Sequence, residues 1–258
     1  MNAVNQPGYF PAGNQPGWFP ALRAAGTLAR REIVRFLRQR SRLVGAMATP
    51  LLFWLVIGSG FNYLDYLFPG MLVQVLLFAS IFSTISIIQD RNEGFLQGVL
   101  VAPVPRSAVV LGKVLGGTAI ALLQGILFLA LGPLVGVQPT LAGLASSLGV
   151  MALVAFALTA LGTAFAWRFE SVQGFHGVMN LLLFPMWLLS GAVFPSEGAA
   201  GWVRAVMAGN PLTYGVSALR GALTGAEPSW PALGVTAAFA LAMFGLAVAS
   251  ARGKMRAR

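Results

Sequence analysis

Between Lys113 and Arg168 the chain carries no charged residue. About 20 apolar residues of helix cross a bilayer core of about 30 Å, so this run holds two crossings. Its only turn signal is Gly136-Val137-Gln138-Pro139-Thr140, which predicts a helical hairpin over 108–135 and 141–167. Four further apolar runs, 43–60, 67–88, 172–193 and 231–251, bring the expectation to six. Each run is continuously apolar, whereas barrel strands alternate, so the spans read as helices. With 57% hydrophobic and 9% charged residues, the composition excludes a water-soluble enzyme and a disordered chain. There is no Cys and one His, so no disulfide framework is expected and no metal or catalytic centre. No secretory signal peptide is expected either, because the first apolar run lies far from Met1 and no small-residue cleavage site follows it.

A net charge of +10 would suggest nucleic acid on a soluble protein. On a membrane protein it asks which side holds the cations. Fifteen of the 17 Lys and Arg fall before the first run, between the second and third, between the fourth and fifth, or after the sixth. Arg204 and Arg220 alone fall on the other side. Cations resist translocation, so the rich side is expected to be cytoplasmic, with both termini inside. The fold class is therefore all-α integral membrane, with six transmembrane helices.

Residues 1–20 nearly repeat one phrase, Asn5-Gln6-Pro7-Gly8-Tyr9-Phe10-Pro11-Ala12 and Asn14-Gln15-Pro16-Gly17-Trp18-Phe19-Pro20-Ala21. That Pro and Gly density predicts a disordered leader, or an aromatic contact to a membrane surface or partner. Residues 21–41 predict an amphipathic interfacial helix. Leu22, Ala25, Ala29, Ile33, Phe36 and Leu37 share one face, and Arg23, Arg30, Arg31, Arg35 and Arg38 fill the other. Glu32 falls at the edge, within reach of Arg35. The membrane domain then occupies 42–258.

The loop 89–106 places Phe95, Leu96, Val99 and Leu100 on one face of a short helix, stopped by Pro103 and Pro105. Such an apolar face packs on a partner or on the protein's own helix ends. Gly112-Lys113-Val114 lacks the remainder of a phosphate-cradling loop, so no nucleotide site is expected in this chain. Gly112 and Gly116 form a small-xxx-small pair, the mark of close helix packing. Between the fifth and sixth spans, 194–230 predicts two short helices, one starting at Ser196-Glu197 and one capped by Asn210 with Pro211 at its first position. Within the spans, Gln74, Gln124 and Asn180 can bond between helices. His176 is a structural residue or a proton relay, and Pro185 predicts a hinge.

The order of these parts resembles the ABC-2-type transporter permeases, especially the drug and lipo-oligosaccharide exporter branch. The resemblance rests on Phe68-Pro69-Gly70, Glu93-Gly94 through Leu100 with Pro103-Val104-Pro105-Arg106, and Leu111-Gly112-Lys113 with Gln124. It continues in 185–195 (Pro185 through Pro195), in Asn210-Pro211-Leu212-Thr213-Tyr214, and in Arg220. It covers nearly the whole chain after Ala21. The repeated leader departs from the family pattern, and the short first outer loop, 61–66, argues against branches with a large ectodomain.

The resemblance implies a non-enzymatic permease subunit of the bacterial inner membrane. It would pair with a second copy or a paralogue and with two ATP-binding-cassette ATPase subunits, which would hold ATP and Mg²⁺; this chain would bind no cofactor. The ATPase-coupling contact would comprise Asp90, Arg91, Glu93, Phe95, Leu96, Val99, Leu100 and Arg106, with Phe95 and Leu96 seated in the ATPase. An extracellular gate would comprise Phe194, Pro195, Asn210, Pro211, Tyr214 and Arg220, with Pro185 as hinge. The cargo would be hydrophobic or amphipathic: a drug, a lipid or a lipid-linked glycan. A polysaccharide-exporting channel subunit shares the architecture. An ion-coupled secondary transporter would want intramembrane ion pairs or inverted repeats, and neither is visible.

The absence of cysteine makes the orientation directly testable. A Ser196→Cys variant should react with a membrane-impermeant maleimide in intact cells, and Ser41→Cys only after permeabilisation. The opposite pattern would invert the topology.

Overall fold

A computed structural model describes residues 18–38, 40–60, 63–101 and 104–254, and among these every regular element is helical. In chain order they are α1 (Trp18–Leu37), α2 (Arg40–Phe53), α3 (Leu64–Asn92), α4 (Phe95–Val101), α5 (Arg106–Leu129), α6 (Leu141–Ala166), α7 (Val172–Trp187), α8 (Gly201–Gly209), α9 (Pro211–Thr224) and α10 (Trp230–Lys254). The expected leader lies outside the described residues as far as Gly17. Helix α1 begins within its last three positions, at Trp18. Pro20 does not oppose this start, because the first turn of a helix has no intrahelical acceptor for its N–H groups.

Among the described residues five helices are long and apolar enough to cross a membrane: Leu64–Asn92, Arg106–Leu129, Leu141–Ala166, Val172–Ala192 and Trp230–Arg252. The first expected span corresponds to a shorter apolar helix, Met47–Gly58. Two arginines, Arg40 and Arg42, occupy its approach, Pro50 lies inside α2, and α2 runs into a π-helical turn, Trp54–Gly58. Phe61 and Asn62 of the expected outer loop lie outside the described residues. The third span also ends early. Beyond Leu129 the chain makes a 3₁₀ turn, Gly132–Val135, because Pro133 cannot donate to a continuing helix and restricts the residue before it.

Helix α3 is the axis of the bundle. In its most apolar stretch 89% of residues are buried, against 22% for α10, so its all-round hydrophobicity is met by protein on every side. It packs on α2, α5, α6 and α7. Small polar groups draw α3 and α6 together: the Thr159 hydroxyl donates to Ser80 Oγ at 3.1 Å, and Ser80 donates to the Ala155 carbonyl at 3.4 Å.

The stripe that α1 buries is Ala25, Leu28, Glu32 and Phe36, a helical spacing rotated from the expected face. Leu22 and Leu37, expected on that face, remain about half exposed. The rotation follows from α5, which lies along α1. A Cβ at Gly112 would sit 2.7 Å from the Ala25 carbonyl oxygen, and one at Gly116 would sit 2.8 Å from Glu32 Cβ. The small-xxx-small pair is thus a groove that receives α1, as the spacing predicted.

A Gly116→Leu variant should lift α1 from α5. A cysteine at Ala25, which is 2% exposed, should be inert to maleimide in the parent and reactive in the Gly116→Leu background. Equal inertness in both would remove the groove from the account.

Candidate functional site

The groove brings a buried charge cluster into register. On α1, Arg31, Glu32 and Arg35 lie within one turn of each other; on α3, Gln89 and Asp90 occupy the last turn; on α5, Lys113 lies between the two glycines. Asp90 is fully buried, and Glu32 and Lys113 nearly so. Arg31 grips Asp90 with both terminal nitrogens, at 2.9 and 3.1 Å, the bidentate geometry that suits a guanidinium. Arg35 donates to Asp90 Oδ1, and Lys113 Nζ to Asp90 Oδ2. Lys113 also donates to Glu32 at 2.7 Å. The expected Glu32–Arg35 pair is replaced, since Glu32 bonds Lys113 and Arg31. Arg35 turns instead to Asp90 and, at 3.3 Å, to Glu93.

Three cations face three carboxylates, so the cluster is formally neutral. Asp90 accepts from three donors, as a desolvated carboxylate requires. The hydrogen bond to Asp90 holds the Arg31 guanidinium above its ordinary pKa, against the opposing effect of burial. Beside Asp90 the end of α3 is also fastened to the α6–α7 turn. Arg91 donates to the carbonyls of Trp167 (3.0 Å) and Phe169, and Asn92 donates to that of Glu170 at 3.4 Å.

Helix α4 follows directly. Gly94 takes a left-handed φ of 78°, the conformation that turns the chain out of α3. The residues expected to form one outward contact divide here. Asp90 faces inward into the cluster, and Leu96 is buried at 2% exposure as α4 packs on α3. Arg91 is held by backbone carbonyls. Val99 is half-buried. Phe95, Glu93 and Arg106 are exposed, and the Arg31 guanidinium lies 3.7 Å from the centre of the Phe95 ring, a cation–π contact. The side chain of Leu100, together with Ala102 and Pro103, lies outside the described residues.

A second constellation forms at the opposite end of α3. Pro185 lies inside α7, but the break comes later, in the π-helical turn Leu188–Ala192, where Leu189 and Gly191 leave helical geometry. Such a break exposes carbonyls, and neighbouring side chains take them. The Asn210 amide donates to the carbonyls of Met186 (2.6 Å) and Leu189 (2.9 Å), while its oxygen caps the Leu212 N–H at 3.0 Å. Arg220 donates to the carbonyls of Tyr66 (3.2 Å) and Gly191 (3.1 Å) and lies 3.9 Å from the centre of the Tyr66 ring. The Tyr214 hydroxyl donates to the Ala208 carbonyl at 2.9 Å, tying α9 to α8. Phe194 and Pro195 are exposed beside the break. Helix α8 starts at Gly201 rather than at Ser196-Glu197, because the chain first turns through Gly198 at φ 84°.

Sequence reasoning missed the central roles of Glu32 and Lys113. A lysine one residue from a small-xxx-small glycine, and a glutamate inside an otherwise apolar stripe, were signals that the two helices meet. Gln74 and Gln124 are buried with no hydrogen-bond partner among the described residues. Gln74 lines a narrow crevice between α3 and α7 with Asn180, Phe184 and Trp187. His176 packs edge-on against Phe82, with ring centres 5.4 Å apart.

The pattern of the ABC-2 type transporter family matches residues 23–224. Over the matched stretches, curated relatives share about a quarter of their residues with this chain. "Probable doxorubicin resistance ABC transporter permease protein DrrC" of Mycobacterium tuberculosis is 25% identical, over 80% of this chain and 78% of its own length. "Daunorubicin resistance ABC transporter permease protein DrrB1" of Streptomyces coeruleorubidus is 22% identical, over 73% and 71%. "Inner membrane transport permease YadH" of Escherichia coli is 26% identical, over 83% and 89%.

Removing one partner from a buried ion pair costs about 3–5 kcal/mol, because the opposite charge is left stranded. Lys113→Met should therefore lower unfolding stability in detergent by about that amount. Arg23→Ala, at an exposed position on α1, should change it by less than about 0.5 kcal/mol. Equal stabilities would mean that the cluster does not hold α1 in place.

Proposed function

The chain belongs to the ABC-2 type transporter family and is the transmembrane subunit of an ABC transporter; from that premise we propose that it exports a hydrophobic or amphipathic substrate. It works in the bacterial inner membrane with six crossings, the helix 40–60 supplying the first, and with both termini in the cytoplasm. Two separate ATPase subunits supply the energy and hold ATP and Mg²⁺, and a second copy or a paralogue completes the pathway. The relatives named for doxorubicin and daunorubicin resistance support a drug-like amphiphile as cargo.

One observation carries the mechanism: α4 is continuous with the end of α3 that the Asp90 cluster joins to α1 and α5. ATP-driven closure of the ATPases presses on α4 through Glu93, Phe95 and the open face at Gly98. Glu93 and Arg106 provide polar contacts. Asp90, Arg91 and Leu96 act from inside: Asp90 joins α3 to α1 and α5, Arg91 fastens it to the α6–α7 turn, and Leu96 seats α4 on α3. Movement of α3 reaches the opposite end, where Arg220 and Asn210 hold the broken segment of α7. Leu188–Ala192 is the flexing element downstream of Pro185, and Phe194, Pro195 and Tyr214 border the exit. Residues 21–41 work at the cytoplasmic membrane surface, with Leu22, Val34 and Leu37 toward lipid.

The docking face can be blocked without disturbing the fold. Gly98 is exposed, and a Cβ there would meet nothing within 4 Å. Arg106→Glu combined with Gly98→Trp, both at exposed positions outside the charge cluster, should insert at the parent level, yet retain less than about a tenth of the co-purifying ATPase and lose transport, as loss of central interface contacts does. Full retention of the ATPase by that variant would overturn the coupling assignment.

A further inference from the structure

At the end of the bundle away from the charge cluster, a cavity of about 540 Å³ opens between the start of α6, the end of α9 and the start of α10. Its volume falls within the roughly 300–1,000 Å³ range of pockets that enclose drug-sized ligands. The walls are small and apolar, including Ala142, Gly149, Ala218 and Ala222, and the rim carries Glu227 and Trp230. Nothing in the coupling mechanism uses it.

We propose that this cavity is a binding site for bulky organic cations, with the hydrophobic body among the small residues and the positive charge at Glu227 and Trp230. The argument is charge complementarity. Among the described residues Glu227 is the one charged residue lining the cavity, and Trp230, 74% exposed, offers an indole face of the kind that attracts cations. An anion would find no Lys or Arg there among the described residues. The space exists because side chains are missing from the walls. A Cβ at Gly149 would meet nothing within 4 Å, so the wall there is open to a ligand. The site is formed by one chain and does not depend on ATPase docking, so it goes beyond the proposed transport cycle.

The test uses two ions of matched shape and opposite charge, tetraphenylphosphonium and tetraphenylborate, with the full chain in nanodiscs of neutral lipid and equilibrium dialysis as readout. The phosphonium should bind saturably above its partition into empty nanodiscs. Glu227→Gln, which keeps shape and removes charge, should weaken it by roughly five- to tenfold, the scale of one partly desolvated cation contact. Gly149→Phe, which fills the cavity, should abolish saturable binding while the chain still elutes as the folded species. Equal or tighter binding of the borate, or phosphonium binding that neither substitution changes, would overturn the proposal. So would an absence of saturable binding.

Discussion

A carboxylate at the buried end of the central helix must find cations, or it cannot remain charged there. Asp90 meets that constraint with three donors from two other helices, and much of the architecture follows. Lys113 reaches it only if α5 runs beside α3 at one height. Arg31 and Arg35 reach it only if α1 lies along α5 in one rotation. Gly112 and Gly116 remove the side chains that would keep α1 away. A charge that is expensive to bury thus selects one register among the many that apolar faces alone would tolerate.

The two ends of α3 are held by different chemistry. At the Asp90 end, formal charges are paired in a desolvated cluster, strong only while every partner stays in place. At the far end, Asn210 and Arg220 hold backbone carbonyls at the break in α7, and Arg220 also holds that of Tyr66 in α3. Neutral acceptors can be exchanged one for another more readily than buried counter-ions. That contrast suits a rigid receiving end and a deformable releasing end, which is how the proposed export cycle uses them.

Much of this was legible along the chain. Asn210 and Pro211 announced the start of α9 by a side-chain acceptor and a residue without an N–H, and α9 starts there. The glycine pair in α5 announced a close helix approach, and α1 makes it. Other readings failed for local reasons. Period alone left open whether a partner or the protein's own helix ends cover the apolar face of α4, and the resemblance seated Leu96 in the ATPase; α3 covers it instead. The break in helical geometry does not fall at Pro185, where a hinge was expected, but a few residues later, at Leu189 and Gly191, because a helix can absorb a proline where surrounding helices support it.

The sequence by itself determined that the chain is an assembly of apolar helices, roughly where each begins, and the order of parts that marks its family. Those properties depend on hydropathy, capping and local backbone preference, all of which act within a few residues. Only the tertiary structure decided that Glu32 faces inward, that Lys113 joins it to Asp90, and that Arg220 closes on Tyr66 and Gly191. Each of those contacts joins residues tens of positions apart or more, and a charge does not reveal its partner until packing has fixed which faces of two helices meet.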